Sequence, residues 1–198
     1  MRTFVLWSHA ITSPEFNLKD LPSSGKRMDI VARCIISALW LSHKLRNNTR
    51  IYAVLNGAPE PPKTVLFTPE IKRVSPDERS IALWIKKALD KYKGRRDKEW
   101  VELSNGIKIS GRSFQDIIKD LEKEGCSFYM LHERGKNIEE VEIKENPVFV
   151  LGDHKGIPKN DEAFVLRRGE RVSLGKIPYL ASFCISVVQW ICDKRNIL

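Results

Sequence analysis

Strands alternating with helices along 198 residues predict an α/β fold, a mostly parallel sheet with helices on both faces. Three observations carry that expectation. Short apolar runs such as Val148–Leu151 are closed by turn residues and are too short for helices. Between such runs, apolar residues recur at helical spacing, most clearly in Lys26–Leu45 and Ser75–Tyr92. With 42% of its residues hydrophobic, the chain can bury one substantial core, so residues 1–198 are expected to form a single domain.

Arg2–His9 reads as the first strand, and the polar, proline-bearing stretch Ala10–Gly25 as a long loop of the kind that often carries function. Lys26–Leu45 is expected as a long amphipathic helix, with Ser24 near its start as a cap. Arg50–Gly57 and Thr64–Thr68 read as strands separated by the rigid turn Ala58–Pro62. Pro76, Asp77 and Glu78 then give the helix Ser75–Tyr92 a favourable first turn. Alternation of apolar and polar residues around Asn105-Gly106 predicts a small β-hairpin insertion over Glu99–Ser110. A helix over Ser113–Glu124, strands over Cys126–Glu133 and Val148–Leu151, a short helix over Lys159–Gly169 and a brief strand over Arg171–Gly175 follow. Pro178–Lys194 closes the chain as a helix. Tyr179, Phe183, Val187, Trp190 and Ile191 surround much of that helix, which must therefore be buried on nearly every side.

A formal net charge of +9 favours a polyanionic partner, because each lysine or arginine set against a phosphate releases counterions. The four cysteines form no CxxC pair and no secretory leader precedes the first strand, so the expected compartment is the cytoplasm. The four histidines show no metal-ligand spacing, and no metal is expected. Ile177–Cys192 is too short for a comfortable membrane span. The absence of GxGxxG and GxxxxGK[ST] disfavours a Rossmann dinucleotide site and the usual nucleotide-hydrolysing loop.

Three late strands end in loops, YMLHERG, VLGDHKG and VSLGKIPY, which converge on one ligand if the strands are neighbours in a parallel sheet. Glycines there let backbone come close to it. On the first long helix, Asp29 and Arg33 lie four apart and share a face, with Arg27 close by. Such a pair either stabilises the helix or presents a carboxylate that handles a proton beside an arginine that holds a phosphate. Arg27 and Arg33 head the expected RNA-binding surface, which Arg73 and Arg79 extend.

Four segments in order, GKRMDIVARCIISALWLS, SPDERSIALWIKKAL, FVLGDHKGIP and VSLGKIPYLASFC, resemble the signature segments of the archaeal tRNA pseudouridine-N1-methyltransferases, the TrmY family of the SPOUT superfamily. The resemblance runs along nearly the whole chain. It implies a SPOUT-type fold with a deep C-terminal trefoil knot over roughly residues 126–198, S-adenosylmethionine (SAM) held in the knot loops, and a homodimer. The implied product is N1-methylpseudouridine at position 54 of the tRNA TΨC arm.

By the same matching, Leu131, Gly152 and Gly156 would contact SAM, Leu174, Gly175, Lys176, Ile177, Pro178 and Tyr179 would wrap it, and Cys184 would face it. Asp29 becomes the candidate proton acceptor, with Arg33 as its orienter or as a phosphate clamp. Asp153 and His154 either order their loop or contact RNA. Two rival readings stand beside this one, an rRNA pseudouridine-N1-methyltransferase of ribosome biogenesis and a basic RNA-binding module without catalysis. Retention of the glycine loops and of the Asp29/Arg33 pair argues against the second.

Overall fold

The computed structural model describes residues 1–197. Eight strands, β1 (Arg2–Ser8), β2 (Thr49–Leu55), β3 (Lys63–Phe67), β4 (Val101–Glu102), β5 (Lys108–Ser110), β6 (Ser127–Asn137), β7 (Pro147–Gly152) and β8 (Gly169–Ser173), form one sheet in the order β4-β5-β3-β2-β1-β7-β6-β8. The five α-helices are α1 (Met28–Leu39), α2 (Glu78–Lys91), α3 (Phe114–Lys123), α4 (Lys159–Leu166) and α5 (Ala181–Lys194). Strands β2, β1, β7, β6 and β8 run parallel, and β3, β5 and β4 add an antiparallel edge.

Alternation along the central strands divides the core in two. Phe4 and Leu6 of β1 and Phe149 and Leu151 of β7 join α1, α2 and α5 on one face. Val5, Trp7, Val148 and Val150 join Phe114, Ile117, Ile118 and Leu121 of α3 and Val165 of α4 on the other. Central strands buried on both sides read as unbroken apolar runs for this reason. Rings of Phe4, Phe149 and Tyr129 stack across β1, β7 and β6 with centroids 5.6 Å apart.

The helices lie on both faces as expected, and the hairpin, instead of standing apart, extends the sheet beyond β3. The first helix is shorter than its periodicity predicts. It ends at Leu39 because Trp40 turns extended and Leu45 bridges back to Trp40, so the polar residues 42–44 form a tight turn. Ser24 does not cap it: its hydroxyl donates to Asp20 O at 2.6 Å, while Arg27 precedes the helix in a left-handed conformation (φ 69°) without a side-chain cap. The last helix begins at Ala181, three residues later than expected, because Leu180 is extended.

Helix α5 is tied to the sheet by polar groups that periodicity does not reveal. Arg2, buried at the start of β1, donates to Gln189 at 2.8 Å and to Asp193 at 2.6 Å. Gln189 in turn donates to the Ala38 carbonyl of α1 at 2.7 Å. A buried polar network that is satisfied in this way fixes one orientation of the helix. Among the described residues, no helix is long and apolar enough to cross a membrane.

Candidate active site

The C-terminal ends of β6, β7 and β8 meet the start of α5 and one side of α1 around a cavity of about 810 Å³. All three loops expected to converge do so. Leu131 comes from the first, Gly152 and Gly156 from the second, and Leu174, Gly175, Ile177, Pro178 and Tyr179 from the third, while Cys184 faces in from α5 and Arg33 from α1. Lys176, Asp29, Arg27, Arg73 and Arg79 are outside the wall; Lys176, Arg73 and Arg79 are exposed. Burial pushes the Cys184 thiol up, so it stays protonated at neutral pH. The wall also holds Glu133, Lys159 and Glu162, polar residues for which the sequence signalled no role of their own.

The β6 loop arises from an irregular strand. Leu131 and Lys136 both pair with Val172 of β8, so residues 132–135 bulge out between them and bring His132 and Glu133 to the cavity. In the β7 loop, Asp153 is the organiser. Its side chain is fully buried; it accepts from the backbone N–H of His9 at 2.6 Å and of Lys155 at 3.0 Å, and lies 3.0 Å from His9 Nδ1. Of the two roles open to Asp153, the geometry gives loop ordering. His154 remains one-third exposed in the cavity wall. His9 escaped the sequence reading because its partner lies 144 residues away.

Beside the cavity, Asp29 is buried between two arginines. Arg27 donates to it through Nε and Nη2 at 3.1 and 3.0 Å, and Arg33 Nη2 donates at 2.7 Å. Arg33 Nη1 also reaches Glu78 at the start of α2, at 3.1 Å. Burial pulls the Asp29 carboxyl up, but the hydrogen bonds from Arg27 and Arg33 together outweigh it and hold the group below the usual carboxylate range. A carboxylate in that state is a weak base with both oxygens occupied. It holds the two arginines together at the edge of the cavity.

Residues 1–197 match the model of a family described as "Putative SAM-dependent RNA methyltransferase". The chain belongs to this family. A relative from Methanococcus aeolicus named tRNA (pseudouridine(54)-N(1))-methyltransferase is 47% identical over 196 residues, covering 95% of each chain. Relatives of the same name from Methanocaldococcus jannaschii and Thermococcus kodakarensis are 41% and 44% identical; the matches cover 100% and 96% of this chain and 98% of each relative. The crystal structure of Archaeoglobus fulgidus Nep1 bound to S-adenosylhomocysteine superposes with a TM-score of 0.66 over 99% of this chain and 98% of that one. At 13% identity that likeness speaks for the fold alone.

The cavity suits the family's cofactor. Its volume falls within the range of about 300–1,000 Å³ common for small-molecule sites. Leu131, Leu174 and Ile177 give the cavity apolar wall, the glycine-bearing loops give it backbone polar groups, and Glu133 and Glu162 give it carboxylates, a set that fits a cofactor with both an apolar and a cationic part.

Proposed function

We propose that the protein is a tRNA methyltransferase that converts pseudouridine 54 to N1-methylpseudouridine, using SAM bound in the cavity of the three strand-end loops. One observation carries the reading: that cavity and the Arg27–Asp29–Arg33 cluster adjoin, so a cofactor site and a cationic site for RNA share one rim. The names of relatives matching over almost the entire chain supply the nucleoside and its position.

Bound SAM supplies an electrophilic methyl group. The chain's own residues hold the two reactants together, and positioning of this kind is worth several kcal/mol of barrier. Gly152, Gly156 and the segment Leu174–Tyr179 hold the cofactor through backbone and apolar contacts, and Cys184 closes the wall. Lys176, exposed at the mouth, meets the RNA side. Arg33 is one-third exposed and meets an RNA phosphate, aimed by Asp29 and Glu78, while Arg27, Arg73 and Arg79 extend the cationic surface.

The path of residues 126–197 supports the trefoil knot. Helix α4 packs with α3 on one face and α5 with α1 on the other, so the chain must cross the sheet's end between β8 and α5. There Ser173 Oγ donates to Glu133 O at 3.2 Å, so the end of β8 lies against the β6 bulge. Ile177, Tyr179 and Leu180 at the cavity and Phe183 and Trp190 along α5 are exposed, and a homodimer in which a second copy covers them completes both sites. Action on tRNA places the enzyme in the cytoplasm.

Mass spectrometry of tRNA transcripts carrying pseudouridine or uridine at position 54, after incubation with isotopically labelled SAM, tests the function. One labelled methyl group on the pseudouridine transcript alone is the expected result.

A further inference from the structure

His9 and Asp153 form a pair that the roles assigned above leave without a task beyond ordering the loop. His9 leaves β1 and Asp153 follows β7, adjacent parallel strands in which Trp7 pairs with Gly152. Asp153 and His154 are part of the cavity wall, so His9 stands one contact away from it. Arg27 of the arginine cluster lies within range of the Asp153 charge.

Each Asp153 oxygen already accepts a backbone N–H, one from His9 and one from Lys155. Its contact with the imidazole is therefore met by a proton on Nδ1, and in the neutral ring Nε2 then carries the lone pair. Among the described residues Nε2 takes no hydrogen bond. The side chain is 33% exposed, and Trp7 packs edge-on against it with ring centroids 4.6 Å apart. A ring fixed on two sides with its basic nitrogen free is built to accept a proton.

The geometry points to His9 Nε2 as the group that takes the N1 proton of pseudouridine, with Asp153 as the positioning residue that sets the tautomer. This rests on the methyltransferase reading above. The N1–H bond breaks and its proton goes to the Nε2 lone pair. The electron pair left on N1 forms the bond to the methyl carbon, and the pair of the broken carbon–sulfur bond stays on sulfur. Positive charge thus passes from the sulfonium to the imidazolium, which returns its proton to water.

His9→Asn keeps an N–H near the position of Nδ1, and so the latch to Asp153, but removes the basic nitrogen. In single-turnover reactions with pseudouridine-54 tRNA, this variant is expected to lose about 10²–10⁴-fold in rate. Its affinities for S-adenosylhomocysteine and for tRNA should stay within about twofold, well under the 1.4 kcal/mol of a tenfold change. Added imidazole should restore part of the rate to His9→Gly. Nitrogen-15 spectra should show the Nδ1–H tautomer in the wild type and its loss in Asp153→Asn. Wild-type methylation with an unimpaired His9→Asn variant, or an Nε2–H tautomer in the wild type, overturns the role of His9. A wild type that leaves pseudouridine 54 unmodified overturns the proposed function, and this inference with it.

Discussion

Gly152 and Gly156 touch across the cavity wall: a Cβ on Gly152 would lie 2.4 Å from the Gly156 carbonyl carbon. The contact closes the turn in which Gly156 N–H donates to Asp153 O at 2.9 Å, and Gly156 itself sits at φ 76°. Gly152→Ala should therefore distort the loop before any ligand arrives. We expect a loss of about 1–3 kcal/mol, which for a chain of this size lowers Tm by several degrees. Calorimetry of the ligand-free variant checks it; a wild-type Tm would show that the loop relaxes freely.

A substitution that fills the cavity without straining the loop isolates ligand binding. Cys184 faces the cavity from the first turn of α5, and among the described residues its thiol makes one hydrogen-bonding contact, a weak one to Tyr179 O at 3.9 Å. Cys184→Phe should project a ring into the space a cofactor needs. The Kd for S-adenosylhomocysteine, measured by titration calorimetry, should rise at least about tenfold, or 1.4 kcal/mol, while Tm changes little.

The parallel strands and both helical faces were legible because buried central strands leave unbroken apolar runs and helices leave a 3.6-residue period. Val148–Leu151 falls within β7 and Ser75–Tyr92 encloses α2. What stayed hidden was set by distant partners. Periodicity says nothing of Trp40 bridging to Leu45, which ends α1 early, nor of Arg2 reaching Gln189 across 187 residues. The cavity's glycines were visible as punctuation, but the close approach of Gly156 to Gly152 was not. Asp29 and Arg33 were visible as a helical pair, but Arg27, which takes up the second carboxylate oxygen, reaches it only because the residue before the helix turns left-handed.

Asp29 makes the protein's stability depend on pH in a defined direction. Its folded pKa lies below the unfolded value of about 3.9, so its stabilising contribution is complete above that value and is lost as pH falls through the folded one. Asp29→Asn should destabilise the protein at pH 7 by about 1–3 kcal/mol, because two arginines lose their shared anion. The gap in denaturant-unfolding free energy between wild type and variant should narrow as pH falls below about 4. A gap that is constant from pH 7 to pH 3 would contradict the ionised clamp.

Arg73 and Arg79 are exposed, Arg79 next in sequence to Glu78, and neither forms an ion pair among the described residues. If each meets a tRNA phosphate, removing one should weaken binding and reduce the slope of log K against log salt by about 0.7–0.9. Filter binding of Arg73→Ala and Arg79→Ala across a salt series measures both quantities. An unchanged slope for both variants would move the RNA surface away from the start of α2.

The exposed side of α5 is the most apolar surface to account for. Phe183 is 49% and Trp190 58% exposed, seven residues apart and so on one side of the helix, while Ile185, Val188, Ile191 and Cys192 are buried on the other. Tyr179 packs on Phe183 with centroids 5.0 Å apart, continuing the patch to the cavity mouth. A helix docked from beneath by Arg2 and Gln189 cannot rotate to hide these rings, and a second copy of this chain is the partner expected to cover them. Phe183→Glu and Trp190→Glu would each place a charge in that contact while leaving the protomer's core intact. Light scattering should show a dimer for the wild type and a monomer for the double variant, with protomer helicity preserved. Because Ile177, Tyr179 and Leu180 belong both to the patch and to the cavity wall, the monomer should also bind S-adenosylhomocysteine more weakly. A wild type that is monomeric and binds the ligand at full strength would mean that the patch serves another partner and that one chain suffices for the site.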